Sequence, residues 1–196
     1  MIDYISGKIA ELTPTRVVVD NQGIGYGMEI SLQTYALLEH KKEATVYLQR
    51  QINQRDGTEM AYGFADKEER NLFRLITGVS GMGAASARMI LSSLSAQELS
   101  EAILSEDVVR LKAIKGIGLK SAQRIVLELK DKIVKGEGAS SESLFQSEAG
   151  AAEEAAAALQ MLGFARPNIN KAIQAILKET PTAKVEEIIK KALSML

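Results

Sequence analysis

Hydrophobic and polar positions along this chain fall into regimes of different period. Over the first 64 residues they alternate in twos, within β-branched runs such as Thr15-Arg16-Val17-Val18-Val19 and Ala44-Thr45-Val46-Tyr47-Leu48. That is the pattern of half-buried strands. Turn residues separate the runs: Asn21-Gln22-Gly23-Ile24-Gly25-Tyr26-Gly27 supplies glycines for a sharp bend, and Arg55-Asp56-Gly57 marks a hairpin. Five short strands are predicted near residues 1–12, 16–20, 25–30, 44–54 and 58–63, with a short helix over 32–39. Five strands in so short a segment are too few for a two-sheet sandwich and suit a small closed barrel of the OB type.

After Phe64 the period becomes helical, with Leu72, Phe73, Leu75 and Ile76 on one face and Glu68, Glu69, Arg70 and Arg74 around it. This segment repeats itself. Val79-Ser80-Gly81-Met82-Gly83-Ala84-Ala85-Ser86-Ala87-Arg88-Met89-Ile90 aligns with Ile114-Lys115-Gly116-Ile117-Gly118-Leu119-Lys120-Ser121-Ala122-Gln123-Arg124-Ile125 at an offset of 35. Both glycines, the Ser-Ala pair and the last Ile recur in register. Residues 136–150 lack periodicity and read as a linker. Beyond them an alanine-rich helix over 152–161 stops at Leu162-Gly163-Phe164, a second covers 168–178, and Thr182 is the expected N-cap of a third running to Met195. The fold class expected is therefore multi-domain α+β. It has an OB-type five-stranded barrel over 1–64, a tandem hairpin domain over 65–135, a linker over 136–150 and a three-helix bundle over 151–196.

Each repeated turn ends one helix and opens another. Glycine takes positive φ there and lets a ligand approach without a Cβ in the way. The first N–H groups of the following helix have no intrahelical partner and sit at the positive end of its dipole, which makes the turn a ready anion site. Two such turns on one rigid unit suit two phosphates along a nucleic-acid strand, a contact that positions without reading bases. A single Gly-x-Gly is equally well explained by a tight helix–helix turn packed on small residues; two registered copies shift the balance.

Charge sharpens this. The 196 residues carry 24 Lys+Arg and 25 Asp+Glu, a net of -1, which on its face argues against a nucleic-acid partner. By segment, however, residues 65–135 carry a net +3, and residues 1–64 and 136–196 carry -2 each. Lys112, Lys115, Lys120, Arg124, Lys130, Lys132 and Lys135 cluster at and after the second turn. With no cysteine, disulfides, Cys-based zinc sites and thiol catalysis are excluded, and a reducing compartment is expected. His40 stands alone, so neither metal nor cofactor is expected. The uncharged run 75–87 is too short to cross a bilayer core of about 30 Å, and no basic start leads into an apolar secretory signal.

The paired turns look like tandem helix-hairpin-helix motifs. Their order after a barrel and before a tethered bundle resembles the RuvA family of bacterial Holliday-junction recognition proteins, over essentially the whole chain. Supporting stretches are Gly23-Ile24-Gly25-Tyr26, Tyr62-Gly63-Phe64, Glu68-Glu69-Arg70 with Leu72-Phe73, and Leu111-Lys112-Ala113-Ile114-Lys115-Gly116-Ile117-Gly118. The resemblance implies a homotetramer, or an octamer on DNA, holding a four-way junction open and square. Phosphates would be gripped at Gly81, Met82, Gly83, Ala84 and Arg88, and at Gly116, Ile117, Gly118, Lys120 and Arg124. It further implies an acidic pin at the hairpin tip, here Arg55, Asp56 and Gly57. The RuvB motor ATPase would bind the third domain, with Leu159, Leu162 and Phe164 as candidate contacts, and RuvC is implied as the resolvase partner. A bacterial cytoplasmic protein is implied, with no catalytic residue of its own. The chain has no Gly-x-x-x-x-Gly-Lys-Ser/Thr loop, so ATP hydrolysis falls to the partner. Two departures stand out: Ala84-Ala85 replaces a common Pro/Lys pair, and Gly57 stands where many members have a second acid.

Two other functions compete. A helix-hairpin-helix glycosylase would need a catalytic carboxylate in a larger helical domain after the hairpin, whereas Lys130-Asp131 runs straight into the linker. A single-strand-binding adaptor would need stacking aromatics on the barrel, where only Tyr4, Tyr26, Tyr35, Tyr47, Tyr62 and Phe64 are available.

Overall fold

The computed structural model describes residues 2–52, 57–134, 150–180 and 183–196. Strands β1 (Tyr4–Thr13), β2 (Arg16–Asn21), β3 (Ile24–Glu29), β4 (Glu43–Ile52) and β5 (Glu59–Phe64) close into a barrel in the order β1-β2-β3-β5-β4. All pairings are antiparallel except β3 with β5, which meet in parallel at Glu29 and Tyr62. The long β1 serves two neighbours, and its register against β2 shifts between Ile9 and Glu11, a bulge that bends the strand around the ring. The β2–β3 turn takes both central residues, Gln22 and Gly23, into positive φ, and Asp20 Oδ1 accepts from Gly23 N at 2.8 Å. Alternate residues Ile5, Val17, Val19, Met28, Val46 and Leu48 fill the interior. Helix α1 (Leu32–Leu38), between β3 and β4, adds Leu38 to that core.

Five helices follow: α2 (Lys67–Gly78), α3 (Ala84–Ser93), α4 (Ala96–Leu104), α5 (Val108–Lys112) and α6 (Leu119–Val134). Their core runs into the barrel, because Tyr62 and Phe64 of β5 share it with Leu72, Phe73 and Ile76 of α2. The sequence periodicity, read by itself, passes over α4 and α5.

A buried polar joint reinforces this contact. Glu69 of α2 accepts hydrogen bonds from the Ser31 hydroxyl and, at 2.6 Å, from Thr34 Oγ1. Ser31 Oγ in turn accepts from Thr34 N at 3.0 Å as the N-cap of α1, and Thr34 Oγ1 accepts from Ala65 N at 3.0 Å. Beside it the nearly buried Arg70 donates through Nη1 to the Asp3 carbonyl and carboxylate, at 2.9 and 2.6 Å, and lies over the Tyr47 ring. Arg74 Nε donates to Gln49 Oε1 at 2.5 Å.

Burial pushes the Glu69 carboxyl up from its ordinary value of 4.5; the two hydroxyls oppose that shift and Asp66 adds to it. A raised folded-state value means that Glu69 contributes stability that is full below about 4.5 and is lost as pH rises through the raised value. Wild type should therefore gain stability relative to Glu69→Gln on acidification from about pH 7 toward 5. Urea melts of the two proteins across that window measure it, and parallel profiles would exclude Glu69 as the source.

The chain divides into two compact units, Met1–Ser140 and Ser141–Leu196. The second contains α7 (Ala151–Met161), α8 (Arg166–Glu179) and α9 (Val185–Leu193), packed on Ala155, Leu159, Ile169, Ile173, Ile176 and Ile188. Helix α7 stops at Gly163, whose φ of +96° lets Phe164 N reach back to the Leu159 carbonyl at 3.2 Å. Thr182 lies outside the described residues, and the N-cap of α9 is Lys184, not Thr182. Ala183 is buried just ahead of it, and Glu187 accepts from Lys184 N at 3.4 Å, so the helix opens later than its polar sequence signal. Of the expected linker only Gly150, which precedes α7, is described.

Candidate nucleic-acid interface

The two halves of the sequence repeat form turns with the same hydrogen-bond pattern. In the first, Met82 N donates to the Val79 carbonyl at 2.9 Å and Gly81 has φ +83°; in the second, Ile117 N donates to the Ile114 carbonyl at 3.0 Å and Gly116 has φ +87°. Positive φ at the third position of a four-residue turn is the type II geometry that selects glycine. The helix that follows starts alike in both, with Ala87 N bonded to the Gly83 carbonyl at 3.0 Å and Ala122 N to the Gly118 carbonyl at 2.9 Å. Met82 and Ile117 turn their side chains into the core, so only their backbones face the surface, between exposed glycines.

Within the first unit, what distinguishes these helix starts is the missing side-chain cap, a lack they share with the three helices of the C-terminal bundle. Ser31, Asp66, Ser95 and Asp107 cap α1, α2, α4 and α5 with a side-chain oxygen on the third helical N–H. Helix α3 begins at Gly83 with no side-chain cap bond, and α6 follows Gly118, which has no side chain to offer. A Cβ added at either glycine would meet nothing within 4 Å. Open N–H groups at the positive end of two helix dipoles can receive two anions.

The cations expected here divide. Lys112, Lys115 and Lys120 are exposed around the second turn. Arg88 instead ion-pairs with Glu29 of the barrel, beside the point where β3 meets β5. Arg124 Nη1 donates to the Ser80 carbonyl of the first turn at 3.0 Å, and its Nε lies 3.9 Å from Glu128 Oε1. Lys130 is tied to Glu106, whose carboxyl it holds below its ordinary value. Glu29 and Ser80 were not legible as partners, since both contacts are far apart in sequence.

At the hairpin tip Arg55 and Asp56 lie outside the described residues; Gly57 is exposed with φ +71°. Glu59, the next acid, pairs with Arg50 across the hairpin, and that bond holds its carboxyl below the ordinary range. In the C-terminal bundle Leu159 is wholly buried and offers a partner no surface, Phe164 is half-buried against the same core, and Leu162 is 61% exposed. His40 is exposed. Among the described residues, no three potential ligands gather as a metal site, and no helix is long and apolar enough to cross a membrane.

Barrel, joint and duplicated turns together define a tandem helix-hairpin-helix protein built on a closed barrel. Residues 73–131 match the family model described as SAM-like Helix-hairpin-helix tandem, residues 1–58 that of the RuvA N terminal domain, and residues 150–196 that of the RuvA C-terminal domain. Proteins named Holliday junction branch migration complex subunit RuvA are similar over the full length of both chains. Identity is 49% over 203 residues in Bacteroides fragilis, 48% over 203 in Bacteroides thetaiotaomicron and 45% over 196 in Christiangramia forsetii. The chain belongs to the RuvA family.

Proposed function

We propose that this chain is the junction-binding subunit of a branch migration complex and grips four-way DNA through its two hairpins. The observation that carries the reading is the pair of uncapped helix starts, alike in geometry and joined by one core. Backbone N–H groups at Gly81, Gly83 and Ala84, and at Gly116 and Gly118, bind phosphates, while the N–H groups of Met82 and Ile117 close the two turns, and Lys120 adds a charge. Four copies, or eight, surround one open junction with Arg55, Asp56 and Gly57 at its centre, where acid at Asp56 repels phosphate. The family's name for its members supports a partner motor; RuvB docks on the C-terminal bundle through the exposed Leu162 and the half-buried Phe164, and supplies ATP hydrolysis, while RuvC resolves the product. The subunit itself cuts nothing and works in the bacterial cytoplasm.

A gel-shift comparison of four-way junction, duplex and single strand tests this, with native mass recorded with and without junction. Junction preference without strand cleavage or base release, in a complex of four or eight copies, is expected. Equal affinity for single strand would overturn the reading.

A further inference from the structure

We propose that Arg124 is a positioning residue that locks the first hairpin turn from the helix of the second, so that the two phosphate sites are set as one unit. This rests on the phosphate reading above. The element it acts on is the Ser80–Gly81 peptide at the middle of the Val79–Met82 turn. Turns of types I and II differ by a flip of that central peptide, and both are open to a sequence with glycine in third place. Arg124 Nη1 donates to the Ser80 carbonyl at 3.0 Å and would sit 3.8 Å from a Cβ on Gly81, so the guanidinium lies alongside the peptide it holds. Because a trans peptide points its C=O and N–H in opposite directions, holding the carbonyl toward α6 aims the Gly81 N–H away from α6. Glu128, one turn along α6, steadies the guanidinium at Nε.

The lock runs one way only. At the repeat offset of 35 residues, Arg124 corresponds to Met89, whose side chain has no donor, and Ser80 corresponds to Lys115. The first turn is thus held from the second hairpin, and among the described residues no reciprocal bond reaches the second turn. Lysine is a poor substitute, since its single ammonium lacks the planar fork that bonds Ser80 while facing Glu128. The Arg124 side chain is about half exposed, so its replacement empties no core.

The test uses Arg124→Lys, Arg124→Gln and, as a comparator, Lys120→Ala, all in the full-length chain. Amide resonances of Gly81 and Met82 are followed by NMR without DNA, and junction affinity is measured across a salt series. Both Arg124 variants should shift those two amides and weaken junction binding about fivefold, the scale of one lost hydrogen bond. Arg124→Lys should keep the wild-type salt slope, whereas Lys120→Ala should lower it by about 0.9, one phosphate contact. Unmoved Gly81 and Met82 amides, or an Arg124→Lys that binds as wild type, would overturn the lock. Wild type lacking junction preference would instead defeat the phosphate reading, and the DNA-free resonances would still decide whether Arg124 holds the turn.

Discussion

Replacing Gly83 with Asp should make the protein slightly more stable and nearly unable to hold DNA. Gly83 is the N-cap of α3, with φ -94° and ψ 172°, an extended conformation that any residue adopts. The space beside it is empty, so a carboxylate could turn onto the open N–H groups of Ala85 and Ser86 without displacing anything. Asp at an N-cap exceeds Gly by only a few tenths of a kcal/mol, and its charge at the helix start adds about 0.3–1 kcal/mol. The same carboxylate stands at the helix start beside the Gly83 and Ala84 N–H groups that a phosphate would use, and repels it. Like charges brought together at an interface cost several kcal/mol, so junction affinity should fall by about 100-fold or more. Gly118→Asp should repeat this at the second turn. Gly83→Asn separates occupancy from charge and should lose much less. Thermal melts and gel shifts on the same samples check both halves. An Asp variant that melts higher yet binds normally would show that the turn does not touch phosphate.

Phe73→Ala should produce the largest loss of stability. Phe73 is wholly buried, with its ring centroid 4.9 Å from that of Tyr62 and 5.0 Å from that of Phe64. With Leu72 and Ile76 it carries the α2 side of the core shared with β5. Truncating such a ring removes its burial and leaves a cavity, a loss of about 3–5 kcal/mol. For a unit of this size that lowers the melting midpoint by roughly 10 °C or more. Calorimetry on the intact chain would detect it; a change below about 1 kcal/mol would mean that barrel and hairpins do not depend on this joint.

Much of the architecture is written locally. Strand alternation, Asn21-Gln22-Gly23 and the helix-period face of Leu72, Phe73 and Ile76 each state their element within a few residues, so the closed barrel and the helical units are legible in the sequence. The recurrence of Gly81 and Gly83 at Gly116 and Gly118 shows where two turns would match, and the structure gives them matching φ and hydrogen bonds. Ser95-Ala96-Gln97-Glu98 is a capping-box signal that states the start of α4 outside the repeated turns. What no local pattern reveals are contacts between distant residues: Glu69 with Ser31 and Thr34, Arg88 with Glu29, and Arg124 with Ser80. Each joins a polar group to a partner chosen by the folded core. An arginine beside a hairpin therefore reads as a phosphate ligand in sequence, even where its guanidinium is engaged by the protein itself.

Ring closure of the barrel bears on how copies can meet. An open sheet leaves a row of unpaired N–H and C=O groups that a second copy can continue, and crowding around one centre promotes such growth. Here β1 pairs with both β2 and β4, while β5 bridges β3 and β4, so no strand is left at an edge. Subunits gathered at one junction would have to meet through side chains, not through a shared ladder. High local concentration then gives the barrel no template for fibrous aggregation.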